Sequence, residues 1–132
     1  MYPVDYRYTR EHEWVSVNGK VATVGITDYA QHELGDIVYV ELPAVGTRVE
    51  AGQPFGTVES VKSVSEVFSP VTGRVIEVNS ALTNAPERIN QDPHGTAWLI
   101  RVEMENPDEL DTLMDAAGYQ AYIAQQQKDT TA

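Results

Sequence analysis

The sequence predicts a mainly β fold, a small sandwich or barrel, on two observations. Short runs rich in β-branched residues, separated by Gly and Pro, fill positions 13–104, and many short strands with regular turn signals build such folds. The pair Asn18-Gly19 stands between alternating apolar residues, and that dipeptide is the strongest short-range hairpin signal.

Each element follows in order. Glu13-Trp-Val-Ser-Val and Lys20-Val-Ala-Thr-Val-Gly-Ile flank the Asn-Gly pair, so they pair as a hairpin with both turn residues at positive φ. Thr27-Asp-Tyr-Ala-Gln-His-Glu-Leu precedes Gly35, which predicts a short helix capped by Thr27 or Asp28 and stopped by glycine. Ile37-Val-Tyr-Val-Glu-Leu is a strand that ends at Pro43. Val49 leads through the turn residues Ala51-Gly52-Gln53-Pro54 into Phe55-Gly-Thr-Val. Beyond Pro70 and Gly73, Val75-Ile-Glu-Val and Ala97-Trp-Leu-Ile-Arg-Val are further strands. Asn106-Pro107-Asp108-Glu109 then supplies a capping residue, a proline at the first helical position and a glutamate three after the cap. Leu110, Leu113, Met114 and Ala117 follow at helical spacing, Gly118 interrupts, and Tyr119, Tyr122 and Ile123 resume. A C-terminal helical segment is therefore expected over about 106–127, with a polar, frayed tail from Gln125.

A faint internal repeat runs beneath these elements. Gly35-Asp-Ile-Val-Tyr-Val matches Gly73-Arg-Val-Ile-Glu-Val, and Gly56-Thr-Val lines up with Gly95-Thr-Ala one residue further apart. Two related half-domains are the expectation.

The 132 residues are expected to form one domain, 1–132, with 42% hydrophobic and 22% charged residues as in an ordinary globular chain. Nine Lys and Arg against twenty Asp and Glu give a net charge of −11. That balance argues against nucleic acid and against anionic membrane surfaces, both of which need clustered cations. No apolar run approaches the roughly 20 residues of a membrane span. The absence of cysteine removes disulfides, thiolate nucleophiles and iron–sulfur clusters. The first eight residues carry neither an apolar signal region nor a transit bias, so a cytoplasmic protein is expected. No interface stripe stands out beyond the C-terminal helix, which makes a monomer the default.

A search for catalytic chemistry finds little. His12, His32 and His94 have no metal-ligand spacing, so no metal site is expected and loop or helix histidines are the better reading. There is no Gly-x-Ser-x-Gly nucleophile elbow and no glycine-rich phosphate loop. Lysine is more informative, with only Lys20, Lys62 and Lys128 present. Lys20 follows the Asn-Gly turn and Lys128 sits in the polar tail, both ordinary surface charges. Lys62 is the one cation between Arg48 and Arg74. Val58, Val61, Val64 and Val67 recur every third residue around it, a spacing that fits neither strand nor helix. On the residues alone it remains an exposed strand lysine.

The segment Phe55-Gly-Thr-Val-Glu-Ser-Val-Lys-Ser-Val-Ser-Glu-Val-Phe-Ser-Pro-Val-Thr-Gly-Arg-Val-Ile-Glu-Val-Asn resembles the lipoyl-attachment region of the H proteins of the glycine cleavage system. Further blocks extend the resemblance over nearly the whole chain. They are Tyr8-Thr-Arg-Glu-His-Glu-Trp-Val, Val24-Gly-Ile-Thr-Asp-Tyr-Ala-Gln with Leu34-Gly-Asp-Ile-Val, Ile89-Asn-Gln-Asp-Pro-His-Gly with Trp98-Leu, and Pro107-Asp-Glu-Leu with Ala121-Tyr-Ile. The resemblance implies a lipoyl-type barrel-sandwich hybrid of two quasi-symmetric halves, with a short internal helix and a C-terminal helix. It places Lys62 at a hairpin tip opposite the chain termini, with lipoic acid amide-linked to its ε-amino group.

The resemblance also implies partners. A pyridoxal-phosphate-dependent glycine decarboxylase (P protein) loads the arm, and a tetrahydrofolate-dependent aminomethyltransferase (T protein) unloads it. A dihydrolipoyl dehydrogenase (L protein) reoxidises it with NAD, and a lipoate- or octanoate-attaching enzyme installs it. The chain itself is then a carrier with no catalytic residue, since the chemistry belongs to cofactor and partners. Glu13 and Glu33 match positions lining the family's arm cleft, as polar contacts to the aminomethyl amine, with Glu66 near the arm's base. The alternative for all three is solvated surface acid. Ala97 stands where glycine is common and His94 where tyrosine is frequent; drift is the simple reading of both, an altered cleft shape the alternative, and neither bears on attachment at Lys62. Other readings are an H-like relay of lipoyl or octanoyl groups to other dehydrogenase complexes, a biotinyl carrier (disfavoured because Lys62 is flanked by Val61 and Ser63 rather than Met) and an unmodified adaptor.

Overall fold

The computed structural model describes residues 2–130, with side chains through Gln126. The Lys128 side chain and the last two residues lie outside the described residues. Among the described residues nine strands form two sheets, neither of them closed on itself. Strands β1 (Arg7–Tyr8), β2 (Glu13–Asn18), β3 (Val21–Ile26), β5 (Arg48–Val49), β8 (Gly73–Val78) and β9 (Ile100–Met104) make a six-stranded sheet in the order β1-β2-β3-β9-β8-β5. Strands β4 (Ile37–Glu41), β6 (Pro54–Ser60) and β7 (Val64–Phe68) make the second, ordered β4-β6-β7. All pairings are antiparallel.

The β2–β3 hairpin forms where the Asn-Gly pair predicted it, one residue displaced. Asn18 pairs with Val21, so the two central turn residues are Gly19 and Lys20. Only Gly19 has positive φ, at 64°, the glycine-first arrangement of a type II′ turn. Helix α1 (Asp28–Leu34) is capped by the Thr27 hydroxyl, which accepts from Ala30 N, and ends at Gly35 with φ 83°. Two single-turn helices, α2 (Ala81–Asn84) and α3 (Arg88–Gln91), fill the connection between β8 and β9. Ala97–Leu99 form no part of β9.

The repeat is real in one of its two offsets. Both β4 and β8 carry a register shift at the same place in the motif, between Ile37 and Tyr39 and between Val75 and Glu77. Ile37, Tyr39 and Val40 pair with Ser60, Glu59 and Val58, while Val75, Glu77 and Val78 pair with Val102, Arg101 and Ile100. The partner strands therefore correspond at 60 and 102, not at the offset that matched Gly56 with Gly95. Gly56 lies in β6, whereas Gly95 lies in a turn before β9, so that match is coincidental.

The C-terminal segment also departs from expectation. A 3-10 turn spans Pro107–Thr112 and a separate helix, α4, spans Ala116–Thr130, continuing past Gln125. The break falls at 113–115 rather than at Gly118. Met114 exchanges two backbone hydrogen bonds with Tyr8, at 2.8 and 2.9 Å, which pulls this stretch into the sheet. Asp115 then restarts the helix, its Oδ1 accepting from Gly118 N at 2.8 Å.

One apolar cluster joins both sheets through Val15, Val24, Val40, Val58, Val67 and Val75, with Leu82 and Ile89 of the short helices plugging it. A second, aromatic cluster docks α4: Tyr119 stacks on Tyr8 at 4.8 Å between ring centroids, with Trp14 and Ile123 beside them. Docking α4 through this face positions the wall of the site described next.

Candidate functional site

Strands β6 and β7 meet in a two-residue turn whose central residues are Val61 and Lys62. Ser60 N–H donates to Ser63 O at 2.8 Å, closing the hairpin. Ser60 is buried, and its Oγ accepts from Lys62 N and Ser63 N, each at 3.1 Å. Neither Val61 nor Lys62 has positive φ; the hydroxyl satisfies backbone donors that a glycine turn would arrange through its own geometry. Val61 N–H donates to Asp36 O at 3.0 Å, tying the tip to the turn between α1 and β4. Lys62 is exposed and, among the described residues, forms no ion pair. Its stem rests on Gly35: a methyl group there would stand 3.1 Å from Cε and 3.7 Å from Nζ.

A cavity of about 460 Å³ opens alongside, lined by Glu11, His12, Tyr29, Ala30, Glu33, Leu34, Ser65 and Gln126. Four parts of the chain contribute: the turn before β2, α1, β7 and α4. Gln126 comes from the C-terminal helix and reaches the same cavity as Ser65 of β7. His12 holds the left-handed backbone conformation at φ 73°, tolerated by histidine more than by most residues. Its Nδ1 lies 2.8 Å from Tyr119 Oη, which lies 2.6 Å from the Thr27 hydroxyl that caps α1. Burial lowers the His12 pKa, favouring neutral imidazole, and burial raises that of Tyr119. This neutral chain of three side chains locks α4 to the N-terminus of α1 and so fixes two walls of the cavity.

The three acids singled out from the sequence occupy different settings. Glu33 is exposed and lines the cavity. Glu66 is exposed on β7 but does not line it, because Ser65 does and neighbouring strand residues face opposite ways. Glu13 is 2% exposed and also absent from the lining. Its Oε1 accepts from Thr9 Oγ1 at 2.5 Å and its Oε2 from Phe68 N at 3.1 Å, linking the start of β2 to the end of β7. Burial nevertheless pushes its pKa up to about 7, against the lowering effect of those hydrogen bonds. The structure thus sets Glu33 on the cavity wall, Lys62 over Gly35 just beyond the end of α1, and Glu13 in the interior.

Of the lining residues sequence reasoning identified Glu33 alone and missed Glu11, His12, Tyr29, Ala30, Leu34, Ser65 and Gln126. His12 directly precedes Glu13, yet a lone histidine without metal-ligand spacing carries no local signature of a cavity wall. His94 and Ala97 do not line the cavity. His94 Nε2 instead accepts from Asp28 N at 3.0 Å, supporting the start of α1.

Known proteins agree with this geometry. The profile of the glycine cleavage H-protein family matches residues 6–126. The glycine cleavage system H protein of Acidobacterium capsulatum is 54% identical over 125 residues, covering 95% of this chain and 96% of that protein. That of Rubrobacter xylanophilus is 60% identical over 109 residues, covering 82% and 86%. The crystal structure of the glycine cleavage system H protein from Mycobacterium marinum superposes with a TM-score of 0.83 at 38% identity, covering 95% of this chain and 98% of that one. With its family profile, its relatives and its backbone all in agreement, the chain belongs to the glycine cleavage H-protein family.

Proposed function

We propose that this protein is the lipoyl carrier of a glycine cleavage system, with lipoic acid amide-linked to Nζ of Lys62. The observation that carries the reading is the placement of Lys62: an exposed amine on a tight hairpin, its stem against Gly35, beside a cavity with carboxylates at Glu11 and Glu33. A lysine stem plus an acyl chain reaches on the order of 10 Å or more, enough to enter a partner's active site while the domain stays outside. Family membership and the hairpin geometry together support this assignment.

When attached, lipoate supplies a disulfide that accepts the aminomethyl group from glycine and later yields reducing equivalents. The chain's own residues do the rest. Ser60 and Asp36 hold the hairpin tip in place, and Gly35 leaves room for the stem. Glu33 and Glu11 offer carboxylates to an ammonium-bearing arm folded into the cavity. Glu13 braces β2 against β7 from inside, and Glu66 stays at the outer base of the hairpin. Acylation turns the ammonium into a neutral amide, removing the one positive charge between Arg48 and Arg74. No side chain of the carrier acts as a catalyst in this reading.

The partners are the pyridoxal-phosphate-dependent decarboxylase, the tetrahydrofolate-dependent aminomethyltransferase, the dihydrolipoyl dehydrogenase and the enzyme that attaches the acyl group. We place the protein with them in the cytoplasm. No helix among the described residues is long and apolar enough to cross a membrane. The test is the intact mass of protein from a lipoate-competent cell, with peptides mapped across 49–74. One lipoyl increment on Lys62, absent in Lys62→Arg, is expected, followed by glycine–bicarbonate exchange with the decarboxylase. An unmodified Lys62 beside a modified control domain overturns the reading.

A further inference from the structure

The Gly35–Asp36 turn touches the Lys62 tip twice, through Gly35 Cα under the lysine stem and through Asp36 O bound to Val61 N. Gly35 sits at φ 83° and ψ −155°, a region open to glycine but not to residues with a β-carbon, and glycine's own backbone freedom does not fix it there. The residue that does is Asn90 on α3. Its Oδ1 accepts from Ile37 N at 2.9 Å, and its Nδ2 donates to Gly35 O and to Gln31 Oε1, each at 2.9 Å. Asn90 therefore grips the turn on both sides of Asp36 and ties it to the last turns of α1. Its hydrogen bonds go to Ile37, Gly35 and Gln31 and not to Lys62.

We propose that Asn90 is a positioning residue for the Lys62 arm: it holds the Gly35–Asp36 seat from behind, and the seat presents Nζ at one place. This rests on the carrier reading above. In the attachment step the amide forms between Nζ and the lipoyl carbonyl as AMP leaves the lipoyl adenylate, with the amine's proton passing to solvent. That step needs the amine aligned with the carbonyl, and small misplacements of reacting groups carry large rate losses. Asn90→Asp keeps the acceptor for Ile37 N while turning the two donations into contacts between oxygens, so it loosens the seat with little change in volume. Asn90→Ala removes the grip without adding charge.

The experiment uses the full chain, a lipoate–protein ligase, lipoate and ATP, with acylation followed by intact mass. Both Asn90 variants are expected to lower kcat by about tenfold with KM little changed, since the exposed surface the ligase meets is intact. The Val61 amide, bonded to Asp36 O, is expected to exchange with deuterium about tenfold faster. Leu113→Ala, which thins the core after the 3-10 turn, serves as the control for lost stability and is expected to move neither. Wild-type kcat in both Asn90 variants, or an equal loss in Leu113→Ala, overturns the proposal. If wild-type Lys62 is not acylated while a control lipoyl domain is, the carrier reading fails. The Val61 exchange rates then decide separately whether Asn90 braces the tip.

Discussion

The β2–β3 and β6–β7 hairpins are built alike and differ in what surrounds them. Each closes with a two-residue turn, and each places an exposed lysine second in that turn, Lys20 in one and Lys62 in the other. At the first, a methyl group on Gly19 would meet nothing within 4 Å. At the second, the tip is bonded to Asp36, the stem lies on Gly35, and a cavity opens beside β7. What sets Lys62 apart from Lys20 is the neighbouring helix and turn, not the hairpin that carries it. Glu13 joins the two hairpins, reaching from the first residue of β2 to Phe68 N at the end of β7.

That junction gives the largest stability effect. A carboxyl whose pKa is raised to about 7 on folding binds its proton more tightly in the folded chain than in the unfolded one. Its contribution is fully present below the ordinary value near 4.5 and is lost as pH rises through about 7. The loss is on the order of 2–3 kcal/mol. Urea unfolding at pH 5 and pH 8 should show it, and Glu13→Gln should remove that part of the slope. An unchanged slope in the variant would mean that general repulsion in an acidic chain, rather than the link between hairpins, sets the pH dependence.

Glycine substitutions sharpen the comparison next. Gly35→Ala places a β-carbon at φ 83° and against the Lys62 stem, so a loss of about 2 kcal/mol is expected. Gly19→Ala meets only the cost of its backbone conformation, about 1 kcal/mol. Equal losses in chemical denaturation would show that the stem contributes nothing to the seat. The smallest effect is at the caps. Ser60→Ala strips the acceptor from two tip amides and should cost about 1 kcal/mol. Asn18→Ala should cost less than half of that, since Asn18 lies in the strand rather than the turn.

The same pair of hairpins shows what a sequence can and cannot reveal. Gly19 made the first legible because a turn with positive φ demands a residue of its kind. The second carries no such residue: a serine hydroxyl does the work, and serine is too common to announce a turn. Burial hides it further, since the inward positions Val58, Ser60, Ser65 and Val67 mix valine with serine and blur the alternation. Helix α1 was readable from Thr27 and Gly35 because both ends are stated locally. The break at 113–115 was not, because its cause is Tyr8, more than a hundred residues away. Glu13 was singled out for a cleft by likeness to a family, while its actual setting depends on Thr9 and on Phe68 across the fold.

The repeated bulge in β4 and β8 makes the two halves look interchangeable, yet the connection after β8 is longer than that after β4 and carries α2, α3 and Asn90. The half without Lys62 thus furnishes, through Asn90, the grip on the turn beside Lys62. Portability is the casualty. Cut out as a short peptide tag, residues 54–68 would keep every letter around Lys62 while losing Gly35, Asp36, Glu13 and Asn90. Such a tag would inherit the motif without the place the motif occupies.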